Sequence, residues 1–169
     1  RKIKRLMITK RSHDQYQQAL TDIHLNHRAL NPEIAAIEVF EKNLPADSVH
    51  QGIALLTEPL PDSHMDECCV ALKEQKNLVL VMDQVTDPHN VGAIIRSAAA
   101  FGAKAIITTD RHAPPESGVL AKSASGALEA LPWVRVTNLS RALDQLAEMG
   151  YWRIGLDGYA KQDIRDADF

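Results

Sequence analysis

The chain has 169 residues and a formal net charge of −3, enough for one ordinary domain or two small ones. At 45% hydrophobic and 24% charged residues it is neither a disordered chain nor a coiled coil. No apolar run approaches the ~20 residues that span a bilayer, and the basic opening, Arg1 to Arg11, lacks the apolar core of a signal peptide. Cys68 and Cys69 are adjacent, which excludes an ordinary stabilising disulfide between them, and the whole pattern predicts a reduced, soluble, cytoplasmic protein. The chain starts without methionine and stops abruptly at Phe169, so it reads as a piece of a longer protein.

Residues 2–9 alternate loosely, with Ile3, Leu6 and Ile8 apolar, and predict a first strand. Six of the nineteen basic residues (Arg1, Lys2, Lys4, Arg5, Lys10, Arg11) fall in or beside it with no acid among them. The remainder carries thirteen basic and twenty-two acidic residues, a balance of −9. A basic strand on an acidic body suits an anionic partner such as RNA, or is a solvated edge guarded by lysines. Residues 13–25 predict a helix, with Tyr16, Leu20 and Ile23 at helical spacing. Asn31-Pro32 breaks the chain, residues 36–40 read as a strand, and residues 52–57 as another. These elements make a small α/β domain over residues 1–57. Residues 58–76 read as a linker: Glu58-Pro59-Leu60-Pro61-Asp62-Ser63 has turn composition, followed by a short amphipathic helix around 65–76.

From residue 77 to 169 strands and helices alternate regularly. Leu78 to Met82 is a continuous apolar run, as in a buried parallel strand. Residues 90–101 predict a helix with Asn90 as its cap, 105–109 a strand, 115–128 a helix opened by proline, and 133–136 a third strand. Residues 139–149 predict a helix ending at Gly150, and 152–156 a fourth strand. Repeated β-α-β with short connections predicts the α/β class, a parallel sheet flanked by helices.

Ligands of such sheets bind beyond the carboxyl ends of the strands. The loop after the first strand of this domain, residues 83–92, is dense in polar groups and runs into a helix N-terminus, a natural place for an anion or a developing oxyanion. Arg96, six residues after Asn90, stands among Gly92, Ala93, Ala99, Ala100 and Ala103, small neighbours that let another backbone or a substrate come close. Alone, such a helix arginine is more often a surface ion-pair partner. The sequence has no G-x-G-x-x-G after a strand, no P-loop, no H-E-x-x-H or paired C-x-x-C, and no G-x-S-x-G. Dinucleotide, nucleotide-triphosphate, metal and serine-hydrolase chemistries are accordingly disfavoured.

The string Asp83 to Gly102 fits D-x-V-x-D-P-x-N-x-G-x-I-x-R-S-A-x-A-F-G without a gap, and resembles the first signature of the SpoU/TrmH family. These are S-adenosylmethionine-dependent RNA 2′-O-ribose methyltransferases of the SPOUT class, with an α/β-knot fold. Residues 122–129 resemble the family's second helix, residues 133–139 its next strand and turn, and the first part, with His50-Gln51-Gly52, the small substrate-binding α/β domain of rRNA-modifying members. The resemblance implies methyl transfer to a ribose 2′-hydroxyl, with a guanosine of large-subunit ribosomal RNA as target. A tRNA methyltransferase or a non-catalytic RNA-binding module are the alternatives. It further implies that Asn90 and Arg96 are catalytic and that Leu156, Asp157 and Gly158 lie against the adenosine of S-adenosylmethionine. His50, Gln51 and Arg5 are candidate RNA contacts. A homodimer with Arg96 acting across the interface is implied, and no metal or membrane. The second and third signatures, which form the knot and hold most of the cofactor, are expected beyond Phe169, and the small domain's first strand and helix before Arg1. The piece alone is expected to be inactive.

Overall fold

A computed structural model describes residues 1–26, 31–46, 48–73 and 75–166, the side chains of residues 23–26 excepted. The chain divides into two compact units, Arg1–Pro61 and Asp62–Phe169.

In the first unit, β1 (Ile3–Ile8) lies between β2 (Glu33–Ile34), which is parallel to it, and β3 (Ile53–Thr57), which is antiparallel. The register pairs Leu6 with Leu55 and Ile8 with Ile53, and a bulge falls between Ile3 and Arg5. Leu6, Met7 and Ile8 are buried, and Phe40 is fully so. The predicted first helix is split into α1 (Lys10–Gln15) and α2 (Gln17–Asn26), with Thr9 capping α1 through a hydrogen bond from the Ser12 N–H. Residues 36–40, read as a strand, instead begin α3 (Ile37–Asn43). The place beside β1 is taken by Glu33 and Ile34, and a helix sends Phe40 inward while leaving Ile37 exposed.

The second unit is a parallel sheet of order β4-β5-β6: Val79–Met82, Ala105–Thr109 and Trp133–Val136. Central β5 is buried over its first four residues. Successive side chains point to opposite faces. Ala105, Ile107 and Val134 meet Ala142 and Leu146 of α8 (Leu139–Glu148), together with Met65 and Cys69. Ile106, Thr108 and Trp133 point the other way, where the Trp133 indole N–H donates to the Thr108 hydroxyl at 2.9 Å. The buried faces of α5 (Pro88–Ala100), α6 (Gly118–Ala124) and α7 (Ala127–Ala130) complete that layer.

Several expectations are corrected. Of residues 58–76, expected as a linker, Met65 and Cys69, one turn apart, are part of the second core. The helix there, α4, covers only Met65–Cys68. The following loop is tied by Asn77, which accepts from the Leu72 N–H and donates to the Leu72 and Gln75 carbonyls. The helix expected over 115–128 starts at Gly118 behind a Ser117 cap and breaks at Ser125 and Gly126, both left-handed, before α7. The fourth strand is absent: residues 152–156 form no ladder, and Trp152 and Leu156 are 92% and 73% exposed. Their apolar alternation suits a strand, but a strand exists only where another backbone satisfies its N–H and C=O groups. Arg153 instead ion-pairs with Asp144 at 3.0 Å, back on α8.

Candidate functional site

The loop leaving β4 enters α5 at Asp87, whose carboxylate accepts from the His89 N–H at 3.0 Å. Pro88 follows at the first helical position, where its fixed φ and missing N–H are no handicap. The cap is therefore Asp87 rather than Asn90. Asn90, relieved of that task, is exposed in the first turn. Gln84 in the same loop is left-handed, with φ +54°.

Asn90 and Ser97 rim a groove of about 520 Å³ whose walls are Leu78 and Leu80 of the β4 side and Ile94 and Phe101 of α5. Phe101 is 81% exposed. The groove follows the edge of β4 that no described strand covers. Arg96 does not line it. Six residues on a helix amount to about 9 Å of rise and roughly 120° of net rotation, so Asn90 and Arg96 of one chain face different directions. Arg96 is exposed, and no hydrogen bond or ion pair reaches it among the described residues. It lies one turn beyond Gly92, where α5 touches α6: a Cβ on Gly92 would sit 2.6 Å from the Ser123 Cβ and 2.7 Å from the Leu120 carbonyl oxygen. The Ser123 hydroxyl donates to the His89 carbonyl at 2.9 Å across the same contact. The arginine is thus a free cation beside a tightly seated pair of helices.

Leu156, Asp157 and Gly158 line a second depression, of about 560 Å³, together with Ile154 and Asp163. All three are exposed. Asp157 shapes the turn by accepting from the Tyr159 N–H at 3.0 Å, and its carbonyl accepts from Ala160. The depression thus brings together an exposed apolar side chain, a carboxylate and a residue without a side chain. Among the described residues no three His, Cys, Asp or Glu are grouped to hold a metal ion. No described helix is long and apolar enough to cross a membrane.

In the first unit, Arg5 is already engaged. Its guanidinium grips Glu33 in a two-pronged pair at 2.8 and 2.9 Å and reaches the Asn43 amide oxygen at 3.3 Å. The hydrogen bond from Arg5 holds the Glu33 carboxyl below the usual carboxylate range. Arg5 is thus a tie between β1, β2 and α3. His50 and Gln51 share one turn. The His50 ring stacks on Phe40 at 4.6 Å, and its Nδ1 accepts from the Gly52 N–H at 3.1 Å. Sequence reasoning passed over Ser97 and Phe101 as groove residues. Phe101 in a helix's last position reads as core unless the sheet's outer edge is known.

Residues 77–169 match the model of the SpoU rRNA Methylase family. The chain is 34% identical over 169 residues to a 23S rRNA (guanosine-2′-O-)-methyltransferase RlmB of Coxiella burnetii, covering 99% of this chain and 66% of that protein. It is 32% identical over 152 residues to a putative TrmH family tRNA/rRNA methyltransferase of Staphylococcus epidermidis, covering 89% and 61%. It is also 40% identical over 121 residues to the RlmB of Vibrio vulnificus, covering 70% and 48%. Its fold resembles the SpoU methyltransferase AviRb from Streptomyces viridochromogenes in complex with AdoMet, with a TM-score of 0.59, 23% identity, and 86% of this chain and 52% of that one covered. An AdoMet-bound rRNA methyltransferase from Sinorhizobium meliloti gives 0.61, 20%, 87% and 51%. The chain thus spans between about half and two thirds of the length of these relatives.

Proposed function

The chain belongs to the SpoU rRNA Methylase family, and from that premise we propose that it is part of an enzyme transferring a methyl group from S-adenosylmethionine to a ribose 2′-hydroxyl of RNA. The observation that carries the reading is the Asp83–Gly102 signature folded as a strand-end loop and a capped helix, with Asn90 and Arg96 both exposed on it. A guanosine of large-subunit ribosomal RNA is the target that agrees with a relative named for that reaction and similar over 99% of this chain. The small N-terminal unit favours rRNA over tRNA, since it is extra surface for a large substrate. A cytoplasmic location goes with that proposed substrate.

S-adenosylmethionine, when bound, supplies a methyl group made electrophilic by its sulfonium, so no metal is required. Leu156, Asp157 and Gly158 would hold its adenosine. Arg96 stays protonated in proteins and is no base. It holds the RNA phosphate next to the target ribose and stabilises negative charge growing on the 2′-oxygen as the proton leaves to water. The Asn90 amide orients the hydroxyl. Because Asn90 and Arg96 of one chain diverge around α5, the complete site takes one of them from each protomer of a homodimer. The test is transfer of tritium-labelled methyl from S-adenosylmethionine to protein-free large-subunit rRNA, for this chain and for a form extended to its relatives' length. Label on a guanosine 2′-oxygen with the longer form is expected. Absence of transfer to any cellular RNA, with S-adenosylmethionine binding intact, leaves the non-catalytic RNA-binding reading.

A further inference from the structure

The start of α5 is held at one residue from both sides. The His89 N–H donates to the Asp87 carboxylate at 3.0 Å, and the His89 carbonyl accepts from the Ser123 hydroxyl of α6 at 2.9 Å. A helical carbonyl already faces the N–H four residues on, and its second lone pair takes the hydroxyl. His89 immediately precedes Asn90, which is exposed and rims the groove beside β4. The Asn90 amide makes no hydrogen bond among the described residues. With no side chain to aim it, its direction is inherited from the backbone of the turn that carries it.

Ser123 departs from the ordinary behaviour of a helix serine. The usual partner of a helical hydroxyl is the carbonyl one turn back on its own helix. Ser97 donates in that way to Ala93 at 3.0 Å, and Thr21 to Gln17 at 2.9 Å. Ser123, half-buried in the last turn of α6, reaches across to α5 instead. Gly92 makes the reach possible: a Cβ on it would lie 2.6 Å from the Ser123 Cβ, so the helices close to a gap that one short side chain spans. Leu120 and Ala124 of α6 are fully buried and seat the helix at that distance.

We propose that Ser123 is a positioning residue for methyl transfer: its hydroxyl locks the first turn of α5 and so aims the Asn90 amide at the ribose 2′-hydroxyl. The inference rests on the proposed methyltransferase reading, in which Asn90 touches the substrate and Ser123 does not. Asp87 holds the turn from before the helix and Ser123 holds it from the side. The two ties meet at His89 and leave the peptide that joins it to Asn90 little freedom. A misplacement of about 1 Å can cost on the order of 10²-fold in rate, so a hydrogen bond at this place has a leverage that the same bond elsewhere on α6 lacks.

Ser123→Ala is the variant to make, because it keeps the Cβ at the contact with α5 and removes only the oxygen. Amide hydrogen exchange of the 169-residue chain, followed by NMR, reads the lock itself. Exchange at Val91, Gly92 and Ala93 should quicken about five-fold, as for one lost hydrogen bond, with the amides of α8 unchanged. In the form extended to its relatives' length, kcat for methyl transfer should fall about ten-fold, while KM for RNA and for S-adenosylmethionine stays within about two-fold of the parent. On an Asn90→Ala background the same substitution should cost less than about two-fold more, since a residue acting only through Asn90 has nothing left to position. Unchanged exchange in the first turn, a rise in KM in place of the fall in kcat, or an equal loss on both backgrounds would each overturn the proposal. Transfer by the extended parent with an unaltered kcat in the variant sinks the positioning role alone. Faster exchange in the variant with no transfer by the extended parent sinks the methyltransferase reading, and the role of Ser123 in it, while the lock on the turn stands.

Discussion

Gly92→Ala tests the contact on which the position of Arg96 depends. The added Cβ would stand 2.6 Å from the Ser123 Cβ, 2.7 Å from the Leu120 carbonyl oxygen and 3.0 Å from the Ala124 nitrogen. Carbon atoms rest at about 3.5–4.0 Å, so α6 must move off α5 by close to 1 Å. Two of the three obstacles are backbone and cannot swing aside. Overpacking of this kind costs about 1–3 kcal/mol, and the upper end applies because a whole helix shifts. Alanine returns up to ~1 kcal/mol in helix propensity, leaving a net loss of about 1–2 kcal/mol. For a unit of roughly 100 residues that lowers the melting midpoint by about 4–16 °C, readable by circular dichroism and by urea titration. Gly118→Ala is the control, since nothing lies within 4 Å of its Cβ position and its φ is unstrained; it should leave stability equal or slightly raised. A Gly92→Ala protein as stable as the parent would refute the close approach of α5 and α6.

Phe40→Ala removes a fully buried ring that also braces His50, and a loss of about 3–5 kcal/mol in the first unit should show as a separate, earlier unfolding step in denaturant. Asp87→Ala deletes the α5 cap and should cost about 1 kcal/mol, seen as a shifted urea midpoint of the second unit. Arg96→Ala, at an exposed position with no partner among the described residues, should change stability by no more than ~0.5 kcal/mol while lowering methyl transfer by the form extended to its relatives' length by about 10²–10³-fold, the effect of removing one oxyanion donor. Equal losses of folding and activity would mark the residue as structural. Burial pushes the Cys69 thiol from 9.0 up to about 11. The native thiol then keeps its proton where the unfolded one gives it up, so stability is full below about pH 9 and declines as pH rises toward 11. Tyr151 is also pushed up by burial, so the slope is best measured below pH 10. It should shrink in Cys69→Ala.

What the sequence determined by itself is what short-range chemistry decides. The run Asp87-Pro88 starts α5 because a carboxylate caps the free N–H groups and proline suits the first turn, and Val91, Ile95 and Ala98 bury one face at helical spacing. β4, β5, β6 and α8 were legible for the same reason, as each is a local apolar pattern matched to one period. The signature that marks the family is contiguous and needs no fold to be seen. Tertiary structure alone decided everything that depended on a distant partner. Residues 36–40 became a helix because β2 occupied the place next to β1, and residues 152–156 remain unpaired because no described backbone meets theirs. Arg5 was neutralised by an acid 28 residues away, a pairing that composition could not reveal, whereas no ion pair reaches Lys10 or Arg11 among the described residues. Asn90 and Arg96 share a motif in sequence yet diverge around the helix. A linear pattern specifies which side chains are present and how they repeat; the backbone and charge partners that fix their roles come only from packing between remote segments.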